Sequence, residues 1–428
     1  MFYYHKVWLI LFLSWTGISL SRTALSPLLI PIMDEFGIGF GEAGLLASVY
    51  FYTYASFQVP GGYFGDRWQR RSILVIGTLF WGVMALFAGL ARGFIDLTAL
   101  RLGLGAGQGS LFGNDRALLS ANTPRVKAGL GQALTLSGAG IGAAASVLLS
   151  GYLGSVFGWR IAISVVALPA FLVAFLIWKY INKETKQTVQ RASELRNQMS
   201  FLQAVKNRDV ILLSVTSFCT NYIFWMLGTW SPAIFHDAIG GGLFIASVFG
   251  AVFGLAVALG HIFMGTLSDK LSGGIGRKTI LVLNYAPLTL GMVLLALSIE
   301  LFPHPALLLL FIGISAALAA GSWPLMYAAL AQIVPSKIHG KVFGFNNFVT
   351  TLAAIPSPWL AGILRDISGS FALPVYTGAM MAAIGGLLAY AITPRFRLRV
   401  PSPTTTLTGP NVERVPKATS CPKLTDRP

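Results

Sequence analysis

Charge is what this chain has least of. Only 11% of its 428 residues are Asp, Glu, Lys or Arg, where a soluble domain carries about 25%. The shortfall excludes a surface built mainly for water. Cysteine is scarcer still. Cys219 lies in an apolar run and Cys421 in a polar tail, which excludes a disulfide framework and a cysteine-based metal cluster. Few acids and five scattered histidines argue against a dedicated bare-metal site. No nucleophile elbow, phosphate loop or repeated His/Cys/Asp cluster occurs, so no enzyme, cofactor or resident metal is expected. The first apolar run has no small-residue cleavage site and carries Arg22, so it reads as a spanning helix rather than a removable signal.

What is present is apolar surface and glycine. Hydrophobic residues make up 55% of the chain, and its 47 glycines suit close helix packing in lipid. A spanning helix needs about 20 apolar residues. Apolar runs near 8–32, 42–64, 72–91, 95–119, 129–155, 160–178, 210–235, 243–267, 279–300, 305–333, 341–364 and 372–393 give twelve of them. The fold class is all-α integral membrane, with twelve transmembrane helices in two pseudo-symmetric six-helix bundles. Residues 1–178 form the first bundle, 179–209 a polar, charged cytoplasmic connector, and 210–393 the second bundle. Residues 394–428 form a tail expected to be disordered, since from 401 onward it is rich in Pro and Thr without apolar periodicity.

The net charge of +16 would suggest nucleic acid in a soluble protein. Its distribution says otherwise. With the N-terminus inside, the inside segments hold 25 of the 31 Lys and Arg residues, and the outside loops hold only Arg92, Arg160 and Arg365. That asymmetry places both termini in the cytoplasm of a cell (inner) membrane. The charge then meets anionic lipid headgroups and no nucleic acid.

Two halves of the chain echo one another. After the second run stand Gly62, Gly65, Asp66, Arg67, Arg70 and Arg71; after the eighth stand Gly265, Asp269, Lys270, Gly276, Arg277 and Lys278. Lys127, Gly131, Gly151 and Gly158 return as Lys337, Gly344, Gly362 and Gly369, at offsets of 210 to 213. Glycine lets helices approach, and an acid can cap a helix N-terminus and attract nearby arginines. Such pairs can lock one state of a carrier and release in another; the plainer reading is that the arginines only mark the inside face. Repeated halves are a mark of transporter folds, with the substrate site at their interface.

These residues resemble the major facilitator superfamily over roughly residues 8–393. The first loop matches its signature, the second is a looser copy with an insert, and Arg101, Gly105 and Gly109 resemble its helix-four motif. The resemblance implies a relay of Asp66, Arg70 and an acid low on helix four, for which Asp115 is the candidate; Arg116 offers that acid a local pair instead. Within the superfamily, Arg22-Thr23-Ala24, Gln58-Val59-Pro60-Gly61-Gly62 and Gly158-Trp159-Arg160 most resemble the anion:cation symporter family. That family carries sugar acids, phthalate-like aromatics and organic phosphates. Its proton-coupled members often have an acid before the helix-one arginine and a glutamate in the helix-four motif. Here Ser21 and Gln108 stand there, which puts proton symport in doubt and favours anion exchange or facilitated passage.

Arg22 is the sharpest single signal. It lies about 22 Å into helix one at 1.5 Å per residue, and a charge at that depth reads as functional. A guanidinium holds a carboxylate or phosphate through two parallel hydrogen bonds. The alternative is a structural pair with Asp34 or Glu35. Arg101 is split between bonding to helix-one carbonyls and a coupling role. Gln58, Gln108, Asn221, Tyr222, Trp225, His261, Trp323, Asn346 and Asn347 complete the candidate substrate site, against the reading that they only hydrogen-bond helix to helix. The gating set is Gly62, Asp66, Arg67, Arg70, Arg71, Asp115, Asp269 and Arg277.

The function that follows is secondary transport of a small solute, an organic anion, by alternating access between inward-open and outward-open states. Lipids, the solute and a coupling ion are the expected partners of a monomer. Rival readings are an exporter of amphipathic compounds, a carrier of a metal or metal chelate, and a non-transporting membrane sensor or assembly factor.

Overall fold

The computed structural model describes residues 2–124, 127–182, 206–271, 276–334 and 339–392. Most of the predicted connector and all of the predicted tail lie outside the described residues. Within them the chain is helical, with no strand. Twelve spans follow one another: α1 (Tyr3–Phe36), α2 (Phe40–Arg67), α3 (Arg70–Leu90), α4 (Phe94–Gly109 and Phe112–Asn122), α5 (Ala128–Phe157) and α6 (Trp159–Tyr180) form the first set. The second set is α7 (Arg208–Ile239), α8 (Leu243–Leu271), α9 (Arg277–Leu301), α10 (Pro305–Ile333), α11 (His339–Ala353 and Pro356–Ser368) and α12 (Ala372–Ala391).

Ten of these are long and apolar enough to cross a bilayer. The exceptions, α2 and α4, are the two that pack on each other with their polar residues between them. Their register is regular. Arg101 Nε donates to the Leu46 carbonyl at 3.2 Å. One turn on, a Cβ at Gly105 would come within 2.2 Å of the Tyr50 carbonyl oxygen, and one turn further a Cβ at Gly109 within 2.3 Å of that of Tyr54. Small residues four apart let the two backbones touch, which is how helices associate where no hydrophobic effect drives them together. Bends in α1, α6 and α11 fall at or just before Pro27, Pro169 and Pro356, where the helix loses a backbone donor.

α5 ends at Gly158 with φ +82° and α11 at Gly369 with φ +72°, both in the positive-φ region that favours glycine. The two turns are not copies: ψ is 159° at Gly158 and 3° at Gly369. After Gly158, Trp159 Nε1 donates to Glu35 at 2.6 Å, and Arg160 binds the same carboxylate at 2.5 Å and the Ala91 carbonyl at 2.5 Å. Those three bonds tie α6 to the ends of α1 and α3.

The two sets of spans press together at the end of the bundle away from the chain termini. There α2 meets α11: Asp366 accepts from the N–H groups of Phe40 (3.0 Å) and Gly41 (2.7 Å), capping the α2 N-terminus from across the interface. A Cβ on Gly44 would lie 2.3 Å from the Pro358 carbonyl oxygen, and one on Gly362 lies 2.1 Å from that of Phe40. In the same region α5 meets α8, with Gly151 against Ser247. α1 meets α7, with Ser26 Oγ donating to the Thr229 carbonyl at 2.6 Å. Phe40, Trp230 and Phe371 fill the gap as an aromatic plug, and the Trp230 ring N–H donates to the Pro358 carbonyl at 3.0 Å.

Candidate functional site

Directly beneath that closed end lies a small pocket of about 20 Å³. It is lined by Arg22, Thr23, Leu25 and Ser26 of α1, Ala47 and Phe51 of α2, Arg101 of α4, and Trp225, Gly228 and Thr229 of α7. Both intramembrane arginines of that set therefore face one space, and no acid lines it.

Arg22 sits in an aromatic cage. Its Cζ is 4.9 Å from the Tyr54 ring centre, 5.1 Å from Tyr50, 5.9 Å from Trp225 and 6.0 Å from Phe51. Ring faces attract the cation, and the Tyr50 and Tyr54 hydroxyls lie near the guanidinium. Nε and Nη2 are nevertheless buried without a hydrogen-bond partner of good geometry. The pair with Glu35 weighed from the sequence does not form: that carboxylate is held by Trp159 and Arg160. Arg101 is 3% exposed, lies 5.3 Å from the Tyr50 ring centre and leaves Nη1 buried and unpartnered. Its carbonyl partner is Leu46 of helix two, not helix one as expected, because the glycine register of α4 lays it along α2.

Gln108, two turns below Arg101, accepts from the Tyr50 hydroxyl at 2.6 Å and reaches the Ile18 carbonyl at 3.4 Å. Gln58 is half-buried and its Nε2 has no partner. From the second set of spans, Trp225 reaches the cage, packing on Phe51 at 4.4 Å. Asn221 donates to the Thr350 carbonyl at 2.6 Å and leaves Oδ1 unpartnered. Trp323 and His261 stack loosely at 5.5 Å, and Trp323 reaches Trp225 only through Phe224. Tyr222 turns away, its hydroxyl 3.2 Å from Thr377 of α12. Asn346 accepts from Ser217 at 3.1 Å, a bond between α7 and α11, and Asn347 is half-buried beside it. Tyr50, Phe51 and Tyr54 were not singled out from the sequence. Tyr50 and Tyr54 share the four-residue spacing of Gly105 and Gly109, the signal that would have marked them.

The gating residues spread over the end that carries the termini. Gly65 allows Asn114 of α4 against α2, where Asn114 donates to the Gly61 carbonyl at 2.9 Å. Gly62 has open space beside it. Arg67 lies 4.6 Å from the Tyr63 ring centre, Arg70 is buried, and Arg71 donates to the Trp178 carbonyl. Asp115 accepts from Trp15 Nε1 at 2.6 Å and from Arg116 at 2.8 Å, which is the local pair considered beside the relay. The side chains of Asp66, Asp269 and Arg277 lie outside the described residues.

Twelve spans in two similar sets, closed at one end over a buried charged pocket, define a carrier of the alternating-access kind. Residues 7–298 match the Major Facilitator Superfamily, and the chain belongs to it. It is 25% identical to the hexuronate transporter of Bacillus subtilis over 91% of this chain and 94% of that one. It is 26% identical to the probable sulfoacetate transporter SauU of Cupriavidus necator, over 85% of this chain and 87% of that one. Its fold is similar to that of a bacterial homologue of the human lysosomal transporter Spinster, crystallised inward-facing and occupied, with a TM-score of 0.76 and 16% identity over 91% of this chain and 97% of that one. The protein is a multi-pass integral membrane transporter that moves a small solute by alternating access, and it is not an enzyme.

Proposed function

We propose that the solute is an organic anion and that Arg22 is its anchor. The observation that carries this is the pair of buried, unpartnered donors on Arg22, in a pocket with no acid, directly beneath the closed end. A buried polar group without a partner is costly, and an anionic ligand supplies the missing acceptors two at a time. The cage of Tyr50, Phe51, Tyr54 and Trp225 covers the ligand's less polar parts, while the hydroxyls of Thr23 and Ser26 offer polar contacts. The relatives named for hexuronate and sulfoacetate support the same substrate class.

The distribution of basic residues supports a cell (inner) membrane location with both termini cytoplasmic. In that orientation the closed end faces outward, and the structure is inward-facing. Residues 1–178 and 210–393 act as the two rocking bundles. The residues after α2 and α8 serve as the cytoplasmic lock, and the carrier works as a monomer.

The test is solute uptake by purified protein in liposomes together with thermal-shift screening of organic anions, wild type beside Arg22→Ala. Selective binding to the folded state raises the melting temperature. Stabilisation and uptake are expected for wild type only, with the variant still reaching the membrane. Normal transport by Arg22→Ala removes the anchor.

A further inference from the structure

Resting on that reading, we infer that the anion is divalent, and that Arg101 selects for its second negative charge. Arg22 and Arg101 flank the same ring, with their Cζ atoms 5.1 and 5.3 Å from the centre of Tyr50, and both line the same pocket. The two cations can be no further apart than those two distances laid end to end. Three of their N–H-bearing nitrogens are buried without a partner: Nε and Nη2 of Arg22, and Nη1 of Arg101.

Among the described residues, no acid lines the pocket to supply the missing counter-charge. In the first six spans Asp34 is exposed, Glu35 is engaged by Trp159 and Arg160, Glu42 by the Gly39 N–H, Asp96 by the Arg92 N–H, and Asp115 by Trp15 and Arg116. The side chain that shares Tyr50 with both arginines is Gln108, which is neutral. Two like charges in one poorly solvated space repel each other, and each carries its own desolvation cost. A single carboxylate relieves one of them. Two acid groups joined by a few atoms relieve both, and only then does the occluded pocket hold no net charge. The chemical class is therefore a small diacid: a dicarboxylate, a sulfocarboxylate or a phosphate ester. A second acid group that finds Arg101 adds a charge-assisted fork that a monoacid leaves unmade.

Matched pairs of probes test this on the full-length protein in detergent by calorimetry: glucuronate with glucarate, benzoate with phthalate, and acetate with sulfoacetate. The divalent member of at least one pair is expected to bind about tenfold or more tightly. In Arg101→Gln that preference collapses to less than about twofold, the divalent affinity falling much further than the monovalent. Because Arg101 also bonds Leu46, Gln108→Glu is the second variant. It keeps an acceptor for Tyr50, gives up the amide's 3.4 Å contact with the Ile18 carbonyl, adds a negative charge beside the arginines, and is expected to erase the divalent preference in a protein that still unfolds cooperatively. Equal affinity within every pair overturns the inference, as does an Arg101 variant that weakens both members alike, the mark of a purely structural role. Failure of every probe to bind wild type sinks the organic-anion reading, and this inference with it.

Discussion

Tyr50 is the residue on which the site turns, since two cations and an amide meet on one phenol. Its hydroxyl bond to Gln108 is buried, so Tyr50→Phe leaves the Gln108 oxygen without that donor, at a cost of about 1–3 kcal/mol. The ring faces remain for Arg22 and Arg101. The expected outcome is a lower melting temperature with cation–π contacts kept, so that anion affinity changes less than in a Tyr50→Leu variant, measured by thermal unfolding and calorimetry side by side. Arg22 was legible in the sequence because a lone charge deep in an apolar run has few structural excuses. Tyr50 was not, because an aromatic in a membrane helix looks the same whether it faces lipid, a neighbour or a guanidinium. Tyr222 lies one residue from Asn221, yet the helical rotation between them points it at Thr377.

At the scale of helices, the packing of α4 on α2 makes the sharpest statement. A methyl group at Gly105 meets the Tyr50 carbonyl at 2.2 Å, where backbone cannot yield. Gly105→Ala is expected to destabilise the protein by about 1–3 kcal/mol and to displace Arg101, seen as a lower melting temperature together with weaker anion binding. Glycine spacing in α4 is visible in the sequence, but its partner is not, since a small-residue stripe does not say which helix lies against it. Of the two readings open for Arg101, backbone bonding is present, but to the Leu46 carbonyl of α2 rather than to helix one. The contact of α2 with α11 carries a second expectation. Asp366 holds two N–H groups across the interface at an exposed position, and losing both to Asp366→Ala costs the closed end about 1 kcal/mol. That corresponds to a shift of about fivefold toward opening at that end. Spin labels at Asp34 and Ile367 should then report a larger population of long distances; an unchanged distribution shows that the cap holds nothing shut.

For the whole molecule, the number of spans, the six-plus-six division and the repeat were readable from apolar length, the polar connector and the glycine echo. All three follow from bilayer thickness and backbone conformation, which act on every residue alike. The closed end was not readable, because which face of a carrier is shut depends on contacts such as Asp366 with Phe40 and Gly41 that join residues more than three hundred positions apart. The same sequence must also make a second set of contacts at the other end, and no pattern in it ranks the two.

Two guanidiniums fixed in the first six spans also make the protein an electrical device. When unloaded, the half that carries Arg22 and Arg101 moves positive charge through the transmembrane field as it rocks, and each elementary charge crossing the full field is worth about 2.3 kcal/mol per 100 mV. A doubly negative cargo, as inferred above, would cancel that charge. Voltage should therefore hurry or hold back the empty carrier and leave the full one indifferent. Current recordings from reconstituted membranes would show potential-dependent rates at low glucarate that flatten as both sides approach saturation.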